Sequence, residues 1–236
     1  MKPEIARQLR DLNRQFYNTL ADPFAESRGT PQPGFARLLD WLPAGAGSLL
    51  DVGCGNGRFG HYLFAQQKIS SYTGVDFSVD LLQKARELVP HGRFQQVDMS
   101  QPNFLQGLEQ FDVVACLAAM QHVPGHINRV TLLQEMAAHL AENGRIILSN
   151  WQFMNSPRQR RKVRDWAEVG LSVEDVEAND YLLTWQRSGF GLRYVCQVDT
   201  AETAVLAQKA NLTILHQFAS DGKEGNLSLY TVLAKS

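Results

Sequence analysis

With 236 residues, 44% of them hydrophobic, and 23 basic against 24 acidic side chains, the chain is too apolar and too evenly charged to be disordered, and it is long enough to bury a full core. A formal net charge of −1 excludes a global basic field, so a nucleic-acid partner would have to meet a local patch. There is no run of about 18 apolar residues to span a membrane, the start Met1-Lys2-Pro3-Glu4 lacks the apolar region of a secretory leader, and Cys54, Cys116 and Cys196 form no C-x-x-C pair, so a reduced, cytoplasmic domain without a metal site is expected.

Ile5 to Leu20 reads as an amphipathic helix, with Ile5, Leu9, Leu12 and Phe16 at spacings of three or four. Ala21 to Gly34, with three prolines and two glycines, is an irregular segment, followed by a helix over Phe35 to Leu42. From Ser48 the period alternates. Strands are expected at Ser48–Val52, Tyr72–Asp76, Gly92–Val97, Phe111–Leu117 and Arg145–Ser149. Helices are expected at Arg58–Gln67, from a Ser78 cap to Leu88, and at Val130–Leu140. Strand and helix in alternation imply an α/β, doubly wound, mostly parallel sheet covered on both faces. A helix over Ala201–Lys209, capped by Thr200, precedes strands Leu212–Phe218 and Leu227–Ala234, whose short connection suits an antiparallel hairpin. One domain is expected: residues 1–47 as N-terminal helices and lid, 48–149 as a cofactor-binding core, 150–199 as a substrate-facing insertion, and 200–236 as a C-terminal helix and hairpin.

Asp51-Val52-Gly53-Cys54-Gly55-Asn56-Gly57 stands where the first strand ends. Glycines there let the backbone turn and approach a ligand closely, and the next helix offers free N–H groups. Gly55, Gly57 and Gly60 fit the G-x-G-x-x-G dinucleotide fingerprint. Asp51, Gly53, Gly55 and Gly57 fit the acid-x-G-x-G-x-G loop that binds S-adenosylmethionine. The acid argues for the second: a carboxylate favours that cofactor's ammonium and sulfonium and repels a pyrophosphate. Asp76, ending the second strand before Phe77, can accept from both ribose hydroxyls. Asp98 and Met99 follow the third strand and could read an adenine edge. Cys116 to Val123 should line the crevice at the strands' carboxyl ends, with Gln121 and His122 as its polar members. His122 fits either a general base or a hydrogen-bonded structural histidine.

At these residues a family resemblance enters. Leu50 to Ser149 looks like a class I S-adenosylmethionine-dependent methyltransferase, and the terminal helix and hairpin look like that fold's last two strands, which implies a seven-stranded, Rossmann-like sheet with an antiparallel last strand. Three segments resemble the tRNA wobble-uridine carboxymethyl methyltransferase family: Phe24-Ala25-Glu26-Ser27-Arg28 with Pro31 and Pro33; the glycine loop through Arg58; and Asp180 to Trp185 with Leu192-Arg193-Tyr194. Gln121 stands where that family tends to have a histidine. The resemblance implies methylation of the carboxylate of a 5-carboxymethyl group on a tRNA uridine.

A carboxylate is already a nucleophile at neutral pH, so its methylation needs alignment and a paired-hydrogen-bond arginine rather than a base. Arg28, Arg193 and Arg58 are the candidates, in that order of interest, with Tyr194 beside Arg193. Trp151 and Trp185 could stack on a flat base or pack in the core. Arg158, Arg160, Arg161, Lys162 and Arg164 would spread over more than one face of a helix, either meeting phosphates or staying solvated beside the acidic run Glu168 to Asp180. The expected partner is tRNA or a small-molecule acceptor. A small partner protein stays open, and so does a fold that binds the cofactor without turnover as an RNA-associated subunit.

Overall fold

A computed structural model describes residues 1–19, 31–186 and 189–236. A seven-stranded sheet runs in the order β3-β2-β1-β4-β5-β10-β9. Its strands are β1 (Ser48–Val52), β2 (Ser71–Asp76), β3 (Arg93–Gln96), β4 (Phe111–Leu117), β5 (Leu140–Trp151), β9 (Leu212–Ser220) and β10 (Ser228–Lys235). The first five are parallel, and β10 runs antiparallel to both β5 and β9. The order reverses at β1, which places the crevice between the carboxyl ends of β1 and β4.

The pleat divides the core. Along β1, β4 and β5, Leu50, Val52, Val114, Cys116, Ile146 and Leu148 face one side. There they meet α1 (Pro3–Thr19), α5 (His126–Ala138) and α7 (Thr200–Lys209) through Leu9, Leu133 and Leu206. Leu49, Val113, Ala115 and Ile147 face the other side and meet α2 (Pro33–Leu38), α3 (Arg58–Ala65) and α4 (Val79–Leu88) through Phe35, Leu63 and Leu82. Strands buried on both faces read as continuous apolar runs, and the period of two then sends alternate residues to opposite layers.

Residues 150–199 hold a second, three-stranded antiparallel sheet of β6 (Val163–Arg164), β7 (Asp180–Trp185) and β8 (Gly191–Cys196). It docks on α1 through the buried Asn13. The Asn13 Oδ1 accepts from the Tyr194 N–H at 2.8 Å, and its Nδ2 donates to the Tyr194 carbonyl at 3.1 Å and the His122 carbonyl at 3.2 Å. The side-chain amide thus pairs with β8 as a neighbouring strand would, joining the small sheet to the loop after β4.

Several local expectations change. Asp199, not Thr200, caps α7, its carboxylate accepting from the Glu202 N–H at 2.9 Å. α5 starts at His126 behind Gly125, whose φ of 88° sets the entry. β5 starts at Leu140, ahead of an irregularity in its pairing with β4. The basic run Arg158–Arg164 does not form one helix. A four-residue α6 (Pro157–Arg160) gives way to β6, where the β-branched Val163 pairs with Leu183. The Phe24–Arg28 motif lies outside the described residues. Among the described residues, no helix is long and apolar enough to cross a membrane.

Candidate active site

The loop after β1 turns on Gly53, Gly55 and Gly57, with φ of 71°, 56° and 78°. These values lie in the left-handed region that other residues enter at a cost. The Gly53 and Cys54 N–H groups both donate to the Val75 carbonyl, at 2.8 and 3.0 Å, which fastens the loop across the end of β2. A Cβ on Gly53 would fall 2.5 Å from the Ala119 Cβ, so the loop lies flat against the segment after β4. Gly57 then takes the cap position of α3.

Two carboxylates close the floor. Asp51 is 2% exposed and accepts from the Tyr72 hydroxyl at 3.0 Å. Burial raises its pKa to about 7, against the lowering effect of the Tyr72 hydrogen bond and with a further push from Asp76. Asp76 accepts from the Gly55 N–H through Oδ2 and from the Ser78 N–H through Oδ1, both at 2.9 Å. Burial raises its pKa as well, against the hydrogen bonds from Ser78 and Gly55. Above them opens a cleft of about 770 Å³, counting its mouth, lined by Asp51, Gly53, Cys54, Gly55, Asn56, Asp76, Phe77, Met99, Leu117, Ala118, Ala119, His122 and Tyr17. A buried acid with no basic side chain hydrogen-bonded to it among the described residues, beside a glycine cradle, suits a ligand carrying an ammonium group. The donor set therefore fits the amino-acid end of S-adenosylmethionine.

The remaining expected cofactor residues take different places, Cys116 by strand parity and the others by the loops after β3 and β4. Cys116 faces the α1 layer, where burial pushes its thiol up to about 12, and it does not line the cleft. Asp98 lies behind Tyr17 in a neighbouring groove with Arg14, which donates to it at 2.8 Å. Its pKa is lowered: burial works upward, and hydrogen bonds from Ser100 with the charge of Arg14 outweigh it. Gln121 is buried, and its Oε1 accepts from the Trp151 N–H at 2.8 Å. The His122 Nδ1 lies 3.2 Å from the Tyr194 carbonyl, which can only accept, so this nitrogen carries the proton. Nε2 then accepts from the Tyr17 hydroxyl at 2.8 Å. This geometry makes His122 an anchor for Tyr17, and Tyr17 is a wall residue that its place in an amphipathic helix does not reveal.

A second cleft, about 1140 Å³ with its mouth, shares Arg58, Ala118 and His122 with the first. Gln121, Trp151, Gln159, Lys162, Trp185 and Arg193 line it. The Arg193 guanidinium carbon lies 5.1 Å from the ring centres of Phe16 and Trp151 and 5.8 Å from that of Trp185. Arg193 is 5% exposed, and its Nε is buried without a hydrogen-bond partner among the described residues. Lys162 stands close enough for burial, then the charges of Arg158 and Arg193, to lower its pKa. The sequence signal for Lys162 was its place in the basic run. Tyr194 is not in the cleft: neighbours on a strand point to opposite faces, and its hydroxyl donates to Asp180 at 2.6 Å and accepts from the buried Arg129 at 3.3 Å. Among the described residues, no group of three or more His, Cys, Asp or Glu side chains could hold a metal.

Comparison with known proteins agrees with this geometry. Residues 50–146 match the family model described as a methyltransferase domain. The tRNA (carboxymethyluridine(34)-5-O)-methyltransferase of Schizosaccharomyces pombe is 26% identical over 159 residues, 66% of this chain and 62% of that protein. The trans-aconitate 2-methyltransferase of Paracidovorax citrulli is 32% identical over 141 residues, 58% of this chain and 50% of that protein. The chain thus spans less than two thirds of either relative's length. The fold matches that of CalS10, an amino pentose methyltransferase of Micromonospora echinaspora solved with S-adenosylmethionine bound, at a TM-score of 0.63 and 20% identity, covering 92% of this chain and 97% of that one.

Proposed function

We propose that this chain, an S-adenosylmethionine-dependent methyltransferase by its domain and its fold, O-methylates a carboxylate, and that the carboxylate belongs to a 5-carboxymethyluridine in tRNA. The observation that carries the reading is Arg193: a buried guanidinium whose Nε has no hydrogen-bond partner among the described residues, in a cleft that shares Arg58, Ala118 and His122 with the one above the glycine loop. Arg193 is itself only 5% exposed, so a paired hydrogen bond from it to a carboxylate is stronger than at a surface.

S-adenosylmethionine, when bound, supplies a methyl group on a cationic sulfur. Asp51 would face its ammonium and Asp76 its ribose hydroxyls, with Met99 against its ring. Arg193 and Lys162 hold the acceptor's charge, and Tyr17, fixed by His122, walls the passage between the two clefts. No side chain has to remove a proton, since the acceptor is already ionised. The residues' contribution is therefore orientation.

The tRNA part of the reading draws on the yeast relative's name and on Arg158 and Arg161, exposed on the segment that runs past the acceptor cleft. Basic side chains there could meet a phosphate backbone. The relative named for trans-aconitate also takes a carboxylate, which favours a small acid as the second reading. The test is transfer of labelled methyl groups to bulk tRNA from cells lacking this enzyme, followed by nucleoside mass spectrometry. A methyl ester on a wobble uridine is the expected product. Label appearing only on small carboxylic acids would move the assignment to the second reading, and label on no acceptor would favour a binding subunit without turnover.

A further inference from the structure

We infer that Gln159 is a specificity-determining residue that reads a hydrogen-bond donor on the acceptor, the imide N–H of a uracil-type ring, beside the carboxylate held by Arg193. The inference rests on the proposed carboxylate acceptor and adds a second recognition element to it.

Two residues that line the acceptor cleft each carry a buried polar side-chain atom with no hydrogen-bond partner among the described residues. One is the Arg193 Nε, a donor, and the other is the Gln159 Oε1, an acceptor. Buried polar atoms are nearly always paired in folded proteins, and leaving one unpaired costs free energy. The backbone around Gln159 is itself satisfied: its N–H donates to the Ser156 carbonyl at 2.9 Å, and its carbonyl accepts from the Lys162 N–H at 2.9 Å. The side-chain oxygen is thus left over from a locally complete turn. Arg58, Lys162 and Arg193 put three cations on the same cleft, so the carbonyl end of the amide, not its NH₂, belongs inward.

A donor and an acceptor left without partners among the described residues, on two residues of one cleft, define what would satisfy them. The molecule must offer a carboxylate or similar acceptor to Arg193 and an N–H to Gln159. A plain aliphatic acid offers the first and leaves Gln159 unpaired. A uracil ring carrying an acidic side chain offers both, and its flat face fits a cleft walled by Trp151 and Trp185. Sites that hydrogen-bond a ligand group discriminate strongly against analogues lacking it, because the protein atom is then buried without a partner.

The test is calorimetric binding to the intact protein saturated with S-adenosylhomocysteine. Three RNA anticodon stem-loops are compared, carrying 5-carboxymethyluridine, its N3-methylated form, or 5-methyluridine. Wild type should bind the N3-methylated loop about tenfold more weakly than the first. Gln159→Leu should bind the first loop about tenfold more weakly and lose the distinction between the first two. Gln159→Glu, whose carboxylate can still accept, should keep that distinction, and S-adenosylhomocysteine affinity should not change in either variant. Equal wild-type affinity for the first two loops, or discrimination that survives Gln159→Leu, overturns the role of Gln159 and leaves the carboxylate reading standing. Equal affinity for the carboxymethyl and 5-methyl loops overturns the carboxylate reading itself. Absence of binding to all three overturns both.

Discussion

The guanidinium of Arg193 and the indole of Trp151 lie face to centre at 5.1 Å, on strands from two different sheets. Phe16 of α1 meets the same guanidinium from another side, so three elements hold one cation in place. A pre-positioned arginine loses little freedom when it binds a carboxylate. Arg193→Lys keeps the charge and loses the planar fork. It should lower kcat/KM for the acceptor by about 10- to 100-fold, the range expected for a charged hydrogen bond. Affinity for S-adenosylhomocysteine and the unfolding midpoint serve as controls, and both should stay near wild type. Unchanged kcat/KM would remove Arg193 from acceptor binding.

Asp76 combines two tasks. Its oxygens hold the Gly55 and Ser78 N–H groups at 2.9 Å and also face the cleft. Asp76→Ala therefore removes a ribose partner and releases the glycine loop. Cofactor affinity should fall at least about tenfold by titration calorimetry. Asp76→Asn keeps one carbonyl oxygen and should fall between the two. A variant that binds as tightly as wild type would show that the ribose is held elsewhere.

What the sequence makes legible follows the length scale of the signal. The apolar runs of β1, β2 and β4 and the acid–glycine loop are local, and the residues that line the cofactor cleft come mostly from them. Cys116 and Tyr194 lie away from the clefts because neighbours along a strand point to opposite layers. With a period of two, Arg193 in the cleft forces Tyr194 into the opposite layer, against Asp180. Tyr17 and Gln159 join the site only through the docking of α1 and of the small sheet. That docking runs through Asn13 to Tyr194, 181 residues apart in the chain, so no local pattern announces it. Asp199 and Thr200 are both good caps, and the choice between them depends on where the backbone first turns helical.

Gly60 is a test of packing beneath the loop. A Cβ there would stand 2.4 Å from the ring of Tyr72, which is fully buried and tied by its hydroxyl to Asp51. Alanine in a helix gains about 1 kcal/mol over glycine. Overpacking a fixed ring costs about 1–3 kcal/mol. With Tyr72 unable to swing aside, the clash wins, and Gly60→Ala should destabilise the protein in urea unfolding. The shift of Tyr72 would also disturb Asp51, so weaker cofactor binding should accompany it. A more stable Gly60→Ala protein would mean that Tyr72 relaxes freely.

The pH dependence of cofactor binding turns on Asp51. Its pKa is raised from the ordinary 3.8 to about 7, chiefly by burial. Its native form thus holds a proton that the unfolded chain has already released between those values. The stability this group contributes is fully present below the unfolded pKa and is lost as the pH rises through about 7. Ligand binding runs the other way. An ammonium group beside Asp51 favours the carboxylate, so binding expels the proton below pH 7 and needs no such step above it. Affinity for S-adenosylhomocysteine should therefore rise about tenfold from about pH 6 to about pH 8, with proton release at the lower value. Asp51→Asn removes the titrating group and should flatten the profile at a weaker overall affinity. Calorimetry in buffers of different ionisation enthalpy measures the proton release directly, and a flat wild-type profile would separate Asp51 from the ligand's ammonium.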